Sequence, residues 1–118
     1  MDIRLKRAYE RPEASDGIRV LVDKIWPRGV RKEDAELDEW LKEIAPSSGL
    51  RKWFNHDPAR WEDFGEQYSR ELDSRGELVQ KLVALAAKDR LTLVFGARDR
   101  EHNNAVVLRR YLLALAGG

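Results

Sequence analysis

The stretch Ile18-Arg19-Val20-Leu21-Val22-Asp23-Lys24-Ile25-Trp26 decides the fold of this chain. Its apolar residues Ile18, Val20, Leu21, Val22, Ile25 and Trp26 run almost without a break. A near-continuous run with β-branched members fits a central strand covered on both faces. Pro27 stops the run, and Gly29 relaxes the backbone just after it.

Working outward, a second apolar strand is expected at Leu91–Phe95, ending at Gly96. A third, Ile3–Ala8, alternates Ile3 and Leu5 with Arg4 and Lys6, the period of a half-exposed strand. The turn-rich segment Arg11–Gly17 follows it. Helices fill the interval between the two apolar strands. Leu37, Trp40, Leu41 and Ile44 share one helical stripe that Pro46 ends. Ser47 or Ser48 caps a short helix carrying Leu50, Trp53 and Phe54. Asp57-Pro58 is a helix start, since Asp accepts from free amides and Pro suits the first position. Trp61, Phe64, Tyr68 and Leu72 then hold one face up to Gly76. Glu77–Lys88 places Leu78, Leu82, Val83 and Leu85 inward. A final helix from Asn103 or Asn104 turns Val107, Leu108, Tyr111, Leu112 and Leu115 to the core.

The chain has 118 residues, a length for one domain over residues 1–118, without repeats or low-complexity tracts. The element order predicts an α/β fold: a small, mostly parallel sheet of about three strands packed with about five helices. If the two apolar strands are neighbours, the crossover between them makes them parallel. The link after the first strand is long for a tight hairpin and short for a helical crossover, so its direction stays open.

With 22 Lys+Arg against 21 Asp+Glu the net charge is +1, which excludes a strongly basic arm. The absence of cysteine excludes disulfides, thiolate metal sites and a Cys nucleophile. No apolar run reaches a membrane span and no signal-peptide order opens the sequence, so a cytoplasmic chain with no membrane partner is expected.

In an open parallel sheet, ligands bind beyond the carboxyl ends of the strands. Two charged segments fall there, Asp23–Gly29 and Gly96–Asn104. Asp23 interrupts a buried run, so it must be paired or hydrogen-bonded, and Arg28 is a natural partner that also forks onto phosphate. The pair serves either to pin the loop or to do chemistry. His102 is a candidate proton donor or acceptor, and Asn103 or Asn104 caps a helix whose free amides attract anions, with Arg98 and Arg100 nearby. Otherwise this is a solvated cap loop. The candidate catalytic residues are thus Asp23 and His102, and the candidate ligand contacts Arg28, Arg98, Asp99, Glu101, Asn103 and Asn104.

A third cluster, Arg51, Lys52, Trp53, Arg60 and Trp61, mixes cations with aromatics and suits stacking on nucleic-acid bases. Trp53, Phe54 and Trp61 equally fit core stripes, which leaves His56 and Asp57 to the turn and cap. No metal site is expected, since there are two His and Asp99, Glu101 and His102 lack a ligand spacing. No motif calls for a cofactor.

Four segments taken together carry a resemblance: Val20–Gly29, Trp40–Ser47, Leu50–Pro58 and Asp99–Ala105. They resemble the YeaO-like proteins, a compact bacterial branch of domain of unknown function 488. The resemblance spans nearly the whole chain and implies a stand-alone cytoplasmic α/β domain, without an established activity. Longer relatives carry an Asp-Arg pair after one strand and a Cys-His-Arg triplet at a helix start. Here Asp23 and Arg28 keep the acid and guanidinium at a different spacing. The triplet falls on Asn103, Asn104 and Ala105, so thiol chemistry does not transfer.

The expectation is an enzyme or binding protein for an anionic, phosphate- or nucleotide-like ligand at the strand ends. The alternatives are a nucleic-acid-binding module and a protein-interaction domain.

Overall fold

The computed structural model describes residues 1–117. Four strands make one sheet: β1 (Ile3–Arg7), β2 (Ile18–Leu21), β3 (Glu39–Trp40) and β4 (Leu91–Phe95). Their spatial order is β1-β4-β2-β3, and every pair is parallel. β4 is central and buried along its whole length. Leu91 pairs with Ile3 on one side and Ile18 on the other, so the two apolar segments are neighbours in register. β1 is also parallel to β4. Its link therefore carries the chain past β4 to β2 without forming a hairpin.

Five helices follow the expected count: α1 (Lys32–Ala35), α2 (Ser48–Phe54), α3 (Trp61–Asp73), α4 (Gly76–Lys88) and α5 (Asn104–Gly117). Their starts obey local chemistry. Ser47 accepts from the Leu50 amide at 3.2 Å to open α2. Asp57 accepts from the Ala59 amide at 3.0 Å and begins a 3-10 turn, Pro58–Arg60, that runs into α3. The Asn103 side chain accepts from the Val106 amide at 3.1 Å at the head of α5.

One face of the sheet, with Leu91, Leu93, Phe95, Val20 and Ile3, packs on α2 to α5 in the main core. The other face carries Leu21 and Val94, covered by Trp26, Val30, Leu37 and Trp40. Strand alternation sends successive side chains to these two layers.

The helix expected over Leu37–Ile44 does not form. In its place stand β3 and a 3-10 turn at Lys42–Ile44. The Asp38 amide donates to the Arg19 carbonyl and the Leu41 amide to the Leu21 carbonyl, both at 2.9 Å. Leu37 and Trp40 pack on one side of the sheet, Leu41 and Ile44 on the other. The apolar spacing belongs to a segment that crosses the sheet edge, and β3 raises the strand count to four. The strand expected to reach Trp26 ends at Leu21, though the Val22 amide still donates to the Val94 carbonyl at 3.0 Å. Ile25 beyond it is 65% exposed. Leu115, expected inward, lies exposed near the end of α5, and Trp53 is exposed rather than in the core.

Candidate functional site

A cavity of about 520 Å³ opens at the carboxyl ends of β2 and β4. Its walls come from the loop after β2, the loop before α2, α2 with the residues after it, Phe64 of α3, the β4–α5 loop and the first residue of α5. The volume lies within the range of small-molecule sites, about 300–1,000 Å³. Both Asp23 and His102 line it, so residues far apart in the chain share one pocket.

Asp23 lies two residues past the end of β2 and does not pair with Arg28. Its Oδ2 accepts from the Gly96 amide at 2.8 Å and its Oδ1 from the Asn104 side chain at 3.1 Å. A Cβ at Gly96 would sit 3.2 Å from that Oδ2, so a glycine there lets the carboxylate approach the backbone. The Asn104 amide also donates to the Val22 carbonyl at 3.1 Å, and the Trp40 indole donates to the Asp23 carbonyl at 2.7 Å. Burial pushes the Asp23 carboxyl above its ordinary value, against the Gly96 and Asn104 hydrogen bonds and the nearby Arg51 and His56 side chains.

Asp99 organises the loop before α5. Its Oδ1 accepts from the Glu101 and His102 amides, each at 2.9 Å, and its Oδ2 meets His102 Nδ1 at 2.9 Å. The Glu101 amide, the His102 ring and the His102 amide hold the Asp99 carboxyl below its ordinary value. With Nδ1 engaged and the ring edge-on to Trp61 at 5.2 Å, the imidazole is fixed in orientation. The Asn103 side chain donates to the Asp99 carbonyl at 2.9 Å while capping α5.

The remaining sequence candidates divide. Asn103 and Asn104 line the cavity, whereas Arg28, Arg98, Asp99 and Glu101 are not among its lining residues. Arg28 is exposed, and its carbonyl accepts from the Tyr9 hydroxyl at 3.0 Å. Arg98 and Glu101 are exposed, and Arg100 pairs with Glu10 at 3.2 Å. Of the aromatic–cation cluster, Arg51 and Lys52 line the cavity. Arg60 instead lies over the Trp53 ring, 5.2 Å from its centre, and donates to the Trp53 carbonyl.

The cations of the cavity are therefore Lys24, Arg51 and Lys52, none of them expected there as contacts for a small anion. Arg51 Nε is buried with no hydrogen-bond partner, while its Nη2 reaches Ser48 Oγ at 3.4 Å. His56, read from sequence as a turn residue, also lines the cavity. Asn55 and His56 both adopt left-handed backbone, with φ of 45° and 54°. Asn and His are both found in that region more often than most side chains, and non-glycine residues held there gather at functional sites. An Asn just after an amphipathic stretch was the available signal for that turn. Its direction toward the sheet end was not encoded locally.

Among the described residues no three His, Asp or Glu side chains are grouped to hold a metal ion, and no helix is long and apolar enough to cross a membrane. The family model described as "Inactive DUF488-N3 subclade" matches residues 2–116. The chain is 44% identical over 115 residues to the uncharacterized protein YeaO of Escherichia coli, covering 98% of this chain and all of that protein (100%). It is 39% identical over 110 residues to an uncharacterized protein of Mycobacterium bovis, covering 93% of this chain and 92% of that one. An uncharacterized protein of Mycobacterium tuberculosis matches at the same 39% over 110 residues, with the same 93% and 92% coverage. No solved structure gives a significant match. With the family model spanning nearly the whole sequence and full-length relatives beside it, the chain belongs to the domain of unknown function 488 family, in its YeaO-like branch.

Proposed function

We propose that the chain is a binding protein for an anionic, phosphate- or nucleotide-like ligand held at the carboxyl ends of β2 and β4. The observation that carries this reading is Arg51, a cavity-lining guanidinium whose buried Nε has no partner. Leaving such a donor unsatisfied costs about 1–3 kcal/mol, and a phosphate oxygen is its natural acceptor. Lys24 and Lys52 add charge in the same cavity. They take the role that sequence reading assigned to Arg28 and Arg98.

Asp23 and His102 both line the cavity, and Asp99 positions His102 through Nδ1. The matching subclade is described as inactive. That description favours binding without turnover, with Asp23 and His102 serving as hydrogen-bonding groups. The nucleic-acid reading draws less support, because Arg51 and Lys52 turn to the cavity and Arg60 covers one face of Trp53.

The test is a titration with inorganic phosphate followed by amide and guanidinium NMR signals. Shifts are expected at Arg51 Nε and at the Gly96 and Asn104 amides. Arg51→Met is expected to weaken binding about tenfold or more, the loss of a charge-assisted hydrogen bond. Absence of any shift at tens of millimolar phosphate, or equal affinity in the variant, overturns the proposal.

A further inference from the structure

We infer that the cavity takes a phosphomonoester whose organic body carries hydroxyl or N–H donors, with Asp23 as their acceptor. This deepens the anion reading and rests on it. Size is the first argument. A bare phosphate fills only a small part of about 520 Å³, so the occupant has a body beyond its anionic group.

The walls are the second. Ile25, Pro46, Phe54 and Phe64 line the cavity, and apolar surface of this kind packs against carbon, not against an ion. The third is the polarity of the floor. Each Asp23 carboxylate oxygen accepts one hydrogen bond from the protein, and an ionised carboxylate has about four acceptor positions. Both Asn104 amide hydrogens have acceptors, on Val22 and Asp23, which leaves its carbonyl oxygen as a further acceptor. A ligand that is anionic throughout would be repelled by Asp23. A ligand with an anionic group and separate donors satisfies the guanidinium and the carboxylate together. Nucleotides and sugar phosphates both have that pattern.

The experiment is calorimetric titration of the full chain at low salt with inorganic phosphate, phenyl phosphate, ribose phosphate and adenosine monophosphate. Phenyl phosphate is a monoester whose body has no donor. Ribose phosphate or adenosine monophosphate is expected to bind about tenfold or more tighter than phenyl phosphate, the contribution of one or two hydrogen bonds to a charged acceptor. A stronger response to adenosine monophosphate than to ribose phosphate marks a nucleotide. Equal responses mark a sugar phosphate. Asp23→Asn is expected to remove the advantage over phenyl phosphate. If that variant fails to fold, the wild-type ranking alone decides. Phenyl phosphate binding as tightly as the donor-bearing esters overturns this inference and leaves the anion reading standing. No binding by any of the four compounds overturns both.

Discussion

Asp16 shows how a single carboxylate can organise a buried polar cluster. Its oxygens accept from Lys6 Nζ at 3.0 and 3.1 Å, from the Glu13 amide at 3.0 Å and from Arg19 Nη1 at 2.6 Å. Arg19 is itself only 4% exposed and donates on to the Ala35 carbonyl at 2.9 Å. Burial works against the charge on Asp16, but the Glu13 amide, Lys6 and Arg19 outweigh it and hold the carboxyl below its ordinary 3.8. A depressed carboxyl contributes stability above its unfolded value, and the contribution is lost as pH falls through the native one. Asp16→Asn is therefore expected to cost about 3 kcal/mol near pH 7, because it leaves the buried Arg19 without its carboxylate and takes one of two acidic partners from the half-buried Lys6. Below about pH 3.8 the penalty should shrink, which urea unfolding at neutral and acid pH will measure. Asp23 has the opposite sign. Burial raises its carboxyl, so its ionisation lowers stability as pH rises past 3.8 through the raised value. A carboxyl-carbon NMR titration should place Asp23 above the ordinary aspartate range and Asp16 below it. Asp23 was visible in the sequence because a charge breaks an apolar run. Its true partners were not, since Gly96 and Asn104 lie more than seventy residues away in the chain.

Among the elements, the start of β2 and the segment before α2 depend most on single contacts. Gly17 has φ of 67°, and a Cβ there would collide with the Arg90 carbonyl that accepts from the Ile18 amide at 2.8 Å. Gly17→Ala is expected to destabilise by about 2 kcal/mol or more, through strain at positive φ and displacement of the β2–β4 register. Thermal unfolding of the variant checks it; an unchanged midpoint would count against the assigned role. Tyr68 of α3 is fully buried, and its hydroxyl donates to the Ile44 carbonyl at 2.6 Å. Burial raises that phenol far above its ordinary value, so it stays a donor. Tyr68→Phe should cost about 1–3 kcal/mol by leaving the carbonyl unsatisfied, readable as a lower urea midpoint at unchanged slope. Strands β1, β2 and β4 and helices α2 to α5 were legible from periodicity and caps. The Leu37–Ile44 segment was not, because helical spacing and a sheet-edge crossing distribute apolar residues alike.

At the scale of the whole molecule, one parallel sheet separates the main core from a thinner layer around Leu21 and Val94. Neither layer is complete without the sheet, so unfolding is expected to be a single cooperative transition. Tryptophan fluorescence and circular dichroism should give coincident urea curves. The aromatic pair Trp26–Trp40 lies in the thin layer and Trp61 against the main core, so fluorescence samples both. Two separated transitions would mean that the layers fold apart.

The sequence by itself determined the class of fold, most helix starts, the absence of thiol chemistry and the family. These follow from local rules: side-chain period, capping groups and composition act within a few residues of one another. Only the tertiary structure decided that Asp23 and His102 share a cavity, that Arg51 rather than Arg28 brings the guanidinium, and that Trp40 sits in an edge strand. Those outcomes depend on which strand lies beside β4 and where the chain crosses the sheet end. Both arise from burying two faces of one sheet at once.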